Sequence, residues 1–372
     1  MAELARGLAG GLAAEDDVTV HSLPSTGGIE GPWREGPSIR GREWLDAATL
    51  AQADRGTKTS PGVDCWLMMN AGLVPLASRL GKPCFGYFHG NDFTNPWLAC
   101  GPRWLESFRR PYVTGFRHAR RRRRLKAHLP SIARVITNSH QTAELISRRL
   151  EVPSASVHVV HPGVDDSFFQ PSEPAPEGGP LRVLTVTRLS SHTRRKNVDG
   201  VLRALASLKP RLELTYTVVG DGDDRPRLET LARELGLVNR VRFLGSVSHQ
   251  ELLRAYRTSD LFILASKATA HDVEGFGIVY LEASASGVSV LGSRAGGATD
   301  AISQGENGLL VEDSSPEAIA EGITRFADHR ERFSPQRARA FAEGFRWPRI
   351  SGQLRAVLID HLNPDSPSGR AP

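Results

Sequence analysis

The sequence predicts an α/β protein built from two Rossmann-like, doubly wound domains that face each other across a cleft. Three observations favour this fold class. Over residues 181–330, short apolar runs alternate with amphipathic helical stretches, as in parallel sheets with right-handed crossovers. The chain has 372 residues, a usual length for two domains. Residues 166–180, rich in proline and glycine, are typical of a linker between them.

The first domain is expected over residues 1–165. Strand candidates lie at residues 65–68, 83–88, 133–137 and 157–160. The chain begins on what reads as a helix at residues 2–14, whereas such domains usually begin with a strand and a glycine-rich turn. We therefore expect the N-terminal domain to lack its first strand. The second domain is expected over residues 181–340, followed by a closing helix at 341–362 and a disordered tail at 363–372.

Composition narrows the class of protein. The hydrophobic fraction of 40% and the charged fraction of 24% are those of an ordinary soluble globular chain. Three cysteines without CxxC spacing argue against a disulfide scaffold or a zinc site. There is no apolar run of eighteen residues and no evident signal peptide, so we expect a cytoplasmic protein. The formal net charge of +6 predicts an anionic partner, which could be a nucleotide, a membrane surface or nucleic acid.

Four predicted strand ends in the second domain carry polar or flexible residues, and ligands of doubly wound sheets bind beyond such ends. The first is followed by Arg188 and, shortly after, Lys196. An arginine fork and a lysine point charge suit a diphosphate, although both could be surface charges. The second ends at Gly220-Asp-Gly222. The third ends at Phe243-Leu-Gly245, which leaves room for a flat base.

The fourth strand end leads into Glu274-Gly-Phe-Gly-Ile-Val-Tyr-Leu-Glu282. Gly275 and Gly277 free the backbone for positive φ and for close approach of a ligand. The helix expected to begin near Gly277 aims unpaired N–H groups and a partial positive charge at whatever lies above the loop. The two glutamates then suit a ligand with a phosphate in the middle and hydroxyl groups at both ends. A capped turn and a solvated helix glutamate are the alternative interpretation.

The second half resembles the nucleotide-sugar-binding domain of retaining glycosyltransferases with the GT-B fold. More narrowly, it is similar to the GT4 family, the glycosyl transferases group 1. The matching residues are Thr187-Arg-Leu189, Lys196-Asn-Val198, Val219-Gly-Asp-Gly222, Val241-Arg-Phe-Leu-Gly245, Glu274 to Glu282, Gly296-Gly297 and Glu306-Asn-Gly-Leu-Leu-Val311. Looser matches in the first half are Phe88-His-Gly90, Thr137-Asn-Ser139 and Pro162-Gly-Val-Asp165. Phe345-Arg-Trp347 resembles the start of the family's closing helix, which returns to the first domain.

The resemblance implies a role for each matched position. Arg188 and Lys196 bind the diphosphate of the donor and stabilise the leaving group. Glu274 contacts hydroxyl groups of the donor sugar, and Glu282 accepts from the ribose. His89, in the first domain, faces the reacting sugar. The donor-binding residues that the resemblance implies are Arg188, Lys196, Gly220, Leu244, Gly245, Glu274, Gly275, Phe276, Gly277, Ile278 and Glu282.

The activity that the resemblance implies is retaining transfer of a hexose from a nucleotide-diphosphate sugar, of the GDP-mannose or UDP-sugar type. The acceptor would be a glycan, a lipid-linked molecule or a small molecule. Two cations and a helix N-terminus supply the electrostatic stabilisation that a departing diphosphate needs. They could replace a metal, and no DxD-like motif argues for one, so we expect neither metal nor cofactor. No carboxylate is placed as a nucleophile, which favours a front-face mechanism.

Residues 103–128 are dense in arginine and interleaved with aromatic residues. This pattern predicts either a solvated basic helix face or peripheral contact with anionic lipid on the inner face of the membrane. No nucleic-acid partner is expected, because no recognition module accompanies the patch. Two other functions stay open. One is a non-catalytic nucleotide-sugar-binding subunit, and the other is a glycoside hydrolase that uses Glu274 and Glu282 as its carboxylate pair.

Overall fold

The computed structural model describes residues 64–69, 71–90, 111–169, 179–268 and 273–362. The chain divides into two compact units, one of residues 1–163 with 347–372 and one of residues 164–346. Each unit contains a parallel sheet with helices, which confirms the predicted α/β class with two domains. The predicted helix at residues 2–14, the start of the arginine-dense segment and the tail at 363–372 lie outside the described residues.

The first unit is built on a parallel sheet in which sequential strands are neighbours, in the order β1-β2-β3-β4. Its strands are β1 (Trp66–Met68), β2 (Cys84–Phe88), β3 (Arg134–Thr137) and β4 (Val157–Val159). β2 has a neighbouring strand on each side and is buried at every position. The Tyr87 hydroxyl donates to the Val160 carbonyl oxygen at 2.6 Å, so this buried phenol ties β2 to the end of β4.

The longest helical segments that the structure describes between these strands each follow one strand and precede the next. They are a 3-10 helix at Ala71–Arg79, α1 (Pro111–His128) and α2 (His140–Leu150). α2 begins where the sequence places a cap: the Ser139 hydroxyl accepts from the Thr142 N–H at 3.1 Å. Pro75 lies inside the first segment, which is a 3-10 helix.

The second unit has a six-stranded parallel sheet in the order β10-β9-β8-β5-β6-β7. Its strands are β5 (Leu181–Val186), β6 (Leu214–Val219), β7 (Val241–Gly245), β8 (Leu261–Leu264), β9 (Ser289–Ser293) and β10 (Gly308–Val311). Chain order runs outward from β5 on one side and outward from β8 on the other. The order therefore reverses between β5 and β8, and this switch point is where doubly wound sheets bind ligands.

Helices cover both faces of this sheet. They are α3 (Val198–Leu208), α4 (Arg225–Glu234), α5 (His249–Arg257), α6 (Ile278–Ala285), α7 (Ala298–Ala301), α8 (Pro316–Asp328) and α9 (Pro335–Glu343). Alternate strand residues enter different cores, so Val183 packs with α3 and α8 whereas Leu184 packs with α5 and α6. Burial on both faces explains why the strands read as continuous apolar runs in the sequence.

The last helix, α10 (Trp347–Leu362), belongs to the first unit. A side chain at Gly163 would lie 2.5 Å from the Trp347 ring, so only glycine permits this packing. The predicted closing helix at 341–362 is divided between α9 and α10. The predicted linker at 166–180 overlaps the second unit, because Phe168 is buried in its core, and residues 170–178 lie outside the described part of the chain.

Candidate functional site

The site begins at the switch point, where the carboxyl ends of β5 and β8 are neighbours. A 3-10 helix, Ser191–Lys196, follows β5 and crosses toward the residues that follow β8. The Lys267 N–H donates to the Arg195 carbonyl oxygen at 2.6 Å. The Asn197 side-chain amide donates to the Ala265 carbonyl oxygen at 3.0 Å and to that of Ser314 at 2.8 Å. These bonds fix the basic run Arg194–Lys196 above the sheet.

Carboxylates after β6 hold the other end of this 3-10 helix. Asp223 accepts from the Ser191 N–H at 2.9 Å and from its hydroxyl at 2.5 Å. These hydrogen bonds lower the pKa of Asp223 to about 2. Asp224 is buried and accepts from Arg194 Nε at 2.8 Å, and Arg227 pairs with it from α4. The segment that carries Lys196 is therefore tied down at both ends.

Glu274 lies opposite this segment and is buried. Three donors converge on its Oε2 atom: Lys196 Nζ at 2.5 Å, Arg195 Nη1 at 3.2 Å and the Ser266 hydroxyl at 3.1 Å. Burial by itself would raise the pKa of the carboxyl, but the charges of Lys196 and Arg195 outweigh it and lower the pKa to about 2. Glu274 is therefore fully ionised at neutral pH.

The glycines after Glu274 allow a close approach between backbone segments. Gly277 precedes α6 with φ +85°, and a side chain there would lie 2.5 Å from the Tyr280 ring. The Gly297 N–H donates to the Glu274 carbonyl oxygen at 2.7 Å, and a side chain at Gly297 would lie 2.2 Å from the Gly275 carbonyl oxygen. The loop before α6 and the Gly296-Gly297 loop thus form one packed unit at the N-terminus of the helix.

Glu282, inside α6, is buried and accepts a hydrogen bond from the Tyr256 hydroxyl at 2.7 Å. Tyr256 lies on α5 among Phe168 and Phe262. Burial, followed by the charge of Glu282 and its hydrogen bond, raises the pKa of Tyr256 well above its usual range. The phenol therefore stays protonated and donates to Glu282.

The other predicted donor-side residues also lie at this edge of the sheet. Arg188 is exposed, forms no ion pair with any described residue, and lines one small cavity together with Lys196. Gly220 has φ +124°, and a side chain there would lie 1.9 Å from the Thr187 carbonyl oxygen. Gly245 accepts from the Gly220 N–H at 2.8 Å, and Leu244 beside it is 41% exposed. The residues after β5, after β6 and at the end of β7 therefore lie close together, although they are far apart in sequence.

Two predicted residues are placed differently from the rest. The Phe276 side chain is buried near Phe345, with ring centroids 6.1 Å apart, so only its backbone can face a ligand. His89 belongs to the first unit and directly follows β2. Its Nε2 atom lies 3.0 Å from the Met69 carbonyl oxygen. The role that the resemblance implies for His89 stays a prediction.

Sequence reasoning assigned no role to Arg195, Ser266 or Tyr256. Arg195 belongs to a basic triplet in which neither spacing nor composition singles out a member. Ser266 follows a predicted strand and could have been suspected for that reason. Tyr256 carried no signal, because it lies on a helix 26 residues before its partner Glu282.

Two family models match the chain side by side. Residues 166–343 match the model of the glycosyl transferases group 1, and residues 2–168 match that of glycosyltransferase family 4. The chain belongs to this family of GT4-type glycosyltransferases. The matches meet close to the boundary between the two structural units, so each unit of the GT4-type chain corresponds to one family model.

Curated relatives of this GT4-type chain include two kinds of bacterial enzyme. A GDP-mannose-dependent alpha-(1-6)-phosphatidylinositol monomannoside mannosyltransferase of Mycobacterium tuberculosis is 31% identical over 55% of this chain and 56% of its own length. A D-inositol 3-phosphate glycosyltransferase of Catenulispora acidiphila is 32% identical over 60% of this chain and 56% of its own length. The chain thus spans somewhat more than half of these relatives.

Solved structures show the fold. Sucrose-phosphate synthase from Thermosynechococcus elongatus has a TM-score of 0.71 at 21% identity, with 95% of this chain and 91% of that chain covered. Anabaena Alr3699/HepE in complex with UDP has a TM-score of 0.67 at 21% identity, with 84% and 82% covered. The GT4-type chain has the GT-B fold, as the sequence predicts.

Proposed function

We propose that this protein is a retaining glycosyltransferase that transfers a hexose from a nucleotide-diphosphate sugar to a glycan, lipid-linked or small-molecule acceptor. The observation that carries the proposal is the meeting of Lys196, Arg195 and Glu274 at the switch point, beside the N-terminus of α6. Cations and helix N–H groups suit a diphosphate, and a fixed carboxylate suits sugar hydroxyl groups. GDP-mannose is the first donor to test because a relative uses it by name, and UDP-sugars come next.

The proposed reaction breaks the bond between the sugar anomeric carbon and the diphosphate oxygen and forms a bond between that carbon and an acceptor hydroxyl oxygen, whose proton passes to the departing diphosphate. Negative charge grows on the departing diphosphate, while the sugar becomes oxocarbenium-like. Arg188 and Lys196 stabilise that growing charge, together with the helix dipole of α6. We expect these groups to act without a divalent ion, so EDTA should leave transfer unchanged. Leu244 and Gly245 lie beside the base, and Glu282 accepts from the ribose.

The charge state of Glu274 argues against its use as the general acid of a glycoside hydrolase. A glycoside hydrolase needs one carboxyl with a raised pKa, which protonates the leaving group. Lys196 and Arg195 outweigh the effect of burial and lower the pKa of Glu274 to about 2, so Glu274 cannot donate a proton at neutral pH. Its Oε2 atom accepts from both cations, which holds the carboxylate in a fixed orientation. These properties favour a substrate-binding role and a front-face mechanism.

The basic helix α1 supports a second part of the proposal, peripheral contact with anionic lipid from the cytoplasmic side. Within the described residues, no helix is both long enough and apolar enough to cross a bilayer. Among the α1 side chains that the structure describes, four are exposed arginines: Arg120, Arg122, Arg123 and Arg124. Each can contribute about 1 kcal/mol near an anionic surface. Sedimentation with phosphatidylglycerol vesicles at low salt tests the contact, and neutral phosphatidylcholine vesicles are the control. Equal binding to both would contradict it.

A donor screen tests the proposed activity. Purified protein is incubated with GDP-mannose, UDP-glucose and related donors, and release of nucleoside diphosphate is measured alongside binding by calorimetry. We expect one donor to bind and to be turned over, and turnover to be lost in the Glu274→Ala variant while nucleotide binding persists. Binding of a donor without turnover, with any acceptor class, would instead indicate a non-catalytic nucleotide-sugar-binding subunit.

A further inference from the structure

The two cations that hold Glu274 are fixed to different degrees. The Arg195 side chain is 9% exposed, and the Arg195 carbonyl oxygen is bound by the Lys267 N–H at 2.6 Å. The Lys196 side chain is 19% exposed, and it also lines the small cavity that contains Arg188. Arg195 is therefore anchored through both its backbone and its side chain. Lys196, in contrast, faces the small cavity that the exposed Arg188 also lines.

The two oxygen atoms of the Glu274 carboxylate differ in their hydrogen bonds. Lys196, Arg195 and Ser266 all donate to Oε2 of Glu274. Oε1 forms no hydrogen bond with the residues that the structure describes, so this oxygen is available to accept from a sugar hydroxyl. A carboxylate that binds substrate through Oε1 must stay ionised and oriented through Oε2.

Donor binding would disturb this arrangement. A diphosphate carries more negative charge than one carboxylate, so it competes with Glu274 for the nearest mobile cation. A flexible lysine ammonium can change partner, whereas a buried arginine keeps its planar contacts and its charge. If both cations left, Glu274 would remain as a buried charge with only the Ser266 hydroxyl, and that state is strongly disfavoured.

We propose that Arg195 is the fixed counter-ion of Glu274, and that it frees Lys196 to move from Glu274 to the diphosphate of the donor. Arg195 is a positioning residue, because it acts on substrate only through Glu274. The inference rests on the proposed function and adds to it a division of labour between adjacent cations.

The pH experiment must account for every charged or titratable group that faces Glu274. The 3-10 helix after β5 contributes Arg195 and Lys196, the segment after β8 contributes Ser266, and α6 contributes the Tyr280 phenol. Burial and the charge of Glu274 keep the pKa of that phenol well above its usual range, so it stays neutral. His271 and Asp272 precede Glu274 but lie outside the described residues, so a His271→Asn variant accompanies the pH measurements.

The experiment compares Arg195→Met with Lys196→Met. A matched control is Arg182→Met, because Arg182 pairs at 2.8 Å with Asp260, whose side chain is 8% exposed, and a second arginine, Arg330, also contacts this carboxylate. That pair lies at the amino end of β5 and β8, on the opposite edge of the sheet. Each variant is tested for affinity for free GDP and UDP, for kcat and KM with the donor identified by screening, and for the pH dependence of kcat/KM.

We expect Lys196→Met to weaken nucleoside diphosphate binding by roughly tenfold or more. Arg195→Met should keep that affinity within about threefold but move the acid limb of kcat/KM upward by roughly one pH unit or more. Arg195→Lys keeps the positive charge, so its acid limb should lie close to that of the native protein. Arg182→Met should lose thermal stability with an unchanged pH profile, and the acid limb of His271→Asn should match that of the native enzyme.

Two results would overturn the inference. One is an unshifted acid limb in Arg195→Met, and the other is a loss of diphosphate affinity in Arg195→Met as large as in Lys196→Met. Failure of the proposed function is distinguishable, because the unmodified protein would then bind no nucleoside diphosphate and turn over no donor. If Arg195→Met does not fold, Arg195→Gln supplies the same comparison, because it also removes the charge, and Arg195→Lys stays the charge-conserving control.

Discussion

Replacing Glu274 by glutamine removes one negative charge while it preserves the size of the side chain. In the native protein this charge lies between Lys196 and Arg195, at 2.5 and 3.2 Å from their nitrogen atoms. The variant leaves two positive charges close together in a mostly buried place. We therefore expect a less stable protein that still attracts a diphosphate.

The magnitude follows from the pKa of the carboxyl. Burial raises this pKa, but Lys196 and Arg195 reverse the effect and lower it from 4.5 to about 2. At about 1.4 kcal/mol per pH unit, the ionised Glu274 contributes roughly 3 kcal/mol to the free energy of unfolding at neutral pH. Removal of one partner from a buried ion pair typically costs about 3–5 kcal/mol. For a domain of this size the unfolding temperature should fall by roughly 6–12 °C.

The assay is thermal unfolding at pH 7 with and without GDP or UDP, combined with calorimetry and donor turnover. Glu274→Gln should unfold at lower temperature, bind the diphosphate at least as tightly as the native protein, and turn over no donor. Bound diphosphate should recover part of the lost stability, because it replaces the missing charge. The matched control is Asp260→Asn, which removes a buried carboxylate held by Arg182 and Arg330 at the other edge of the sheet.

Asp260→Asn should lose stability but keep turnover per folded molecule. The reasoning about Glu274 would be refuted if Glu274→Gln lost more than about tenfold in diphosphate affinity, since that would make the carboxylate part of the diphosphate site. Native-like turnover in this variant would equally refute it.

Three further predictions concern stability and the ribose side of the site. Tyr256→Phe removes the donor to Glu282 and should cost roughly 1–3 kcal/mol in a urea melt and raise the donor KM; an unchanged KM would count against a ribose role for Glu282. Gly297→Ala places a carbon atom 2.2 Å from the Gly275 carbonyl oxygen and should lower stability by about 1–3 kcal/mol; a native-like thermal melt by circular dichroism would contradict it. The pKa of Glu274 is lower in the folded protein than in the unfolded chain, because Lys196 and Arg195 outweigh burial. Its stabilisation is thus present above pH 4.5 and lost as pH falls towards 2, so urea midpoints should fall more steeply in the native protein than in Glu274→Gln.

The strands and most helices of the second unit were predictable because each has a local pattern. The alternation of apolar runs and helical stretches predicted over residues 181–330 corresponds to the strands β5 to β10 and the helices between them. The short helix α7 and the helix α9 were not predicted as separate elements. α7 has only four residues, too few for a periodic pattern, and α9 (Pro335–Glu343) crosses the predicted boundary between the second domain and the closing helix.

The site was predictable in part for the same reason. The two glutamates with seven residues between them, and the glycines beside Glu274, are visible in the sequence as a loop that enters a helix. The resemblance implies donor contact at the backbone of Phe276, and sequence could not show that its ring packs near Phe345 in the core. Its backbone position was foreseeable, whereas its side-chain direction depended on packing with a distant segment.

The sequence by itself determined which strand ends carry charge, where glycine frees the backbone, and which family the second half resembles. These are local properties, set by residue type and spacing over a few turns of chain. The tertiary structure alone decided that Glu274 meets Lys196 and Arg195 from almost eighty residues earlier, and that all donors share one carboxylate oxygen. Those contacts arise because β5 and β8 are neighbours at the point where the strand order reverses, a property of the whole sheet.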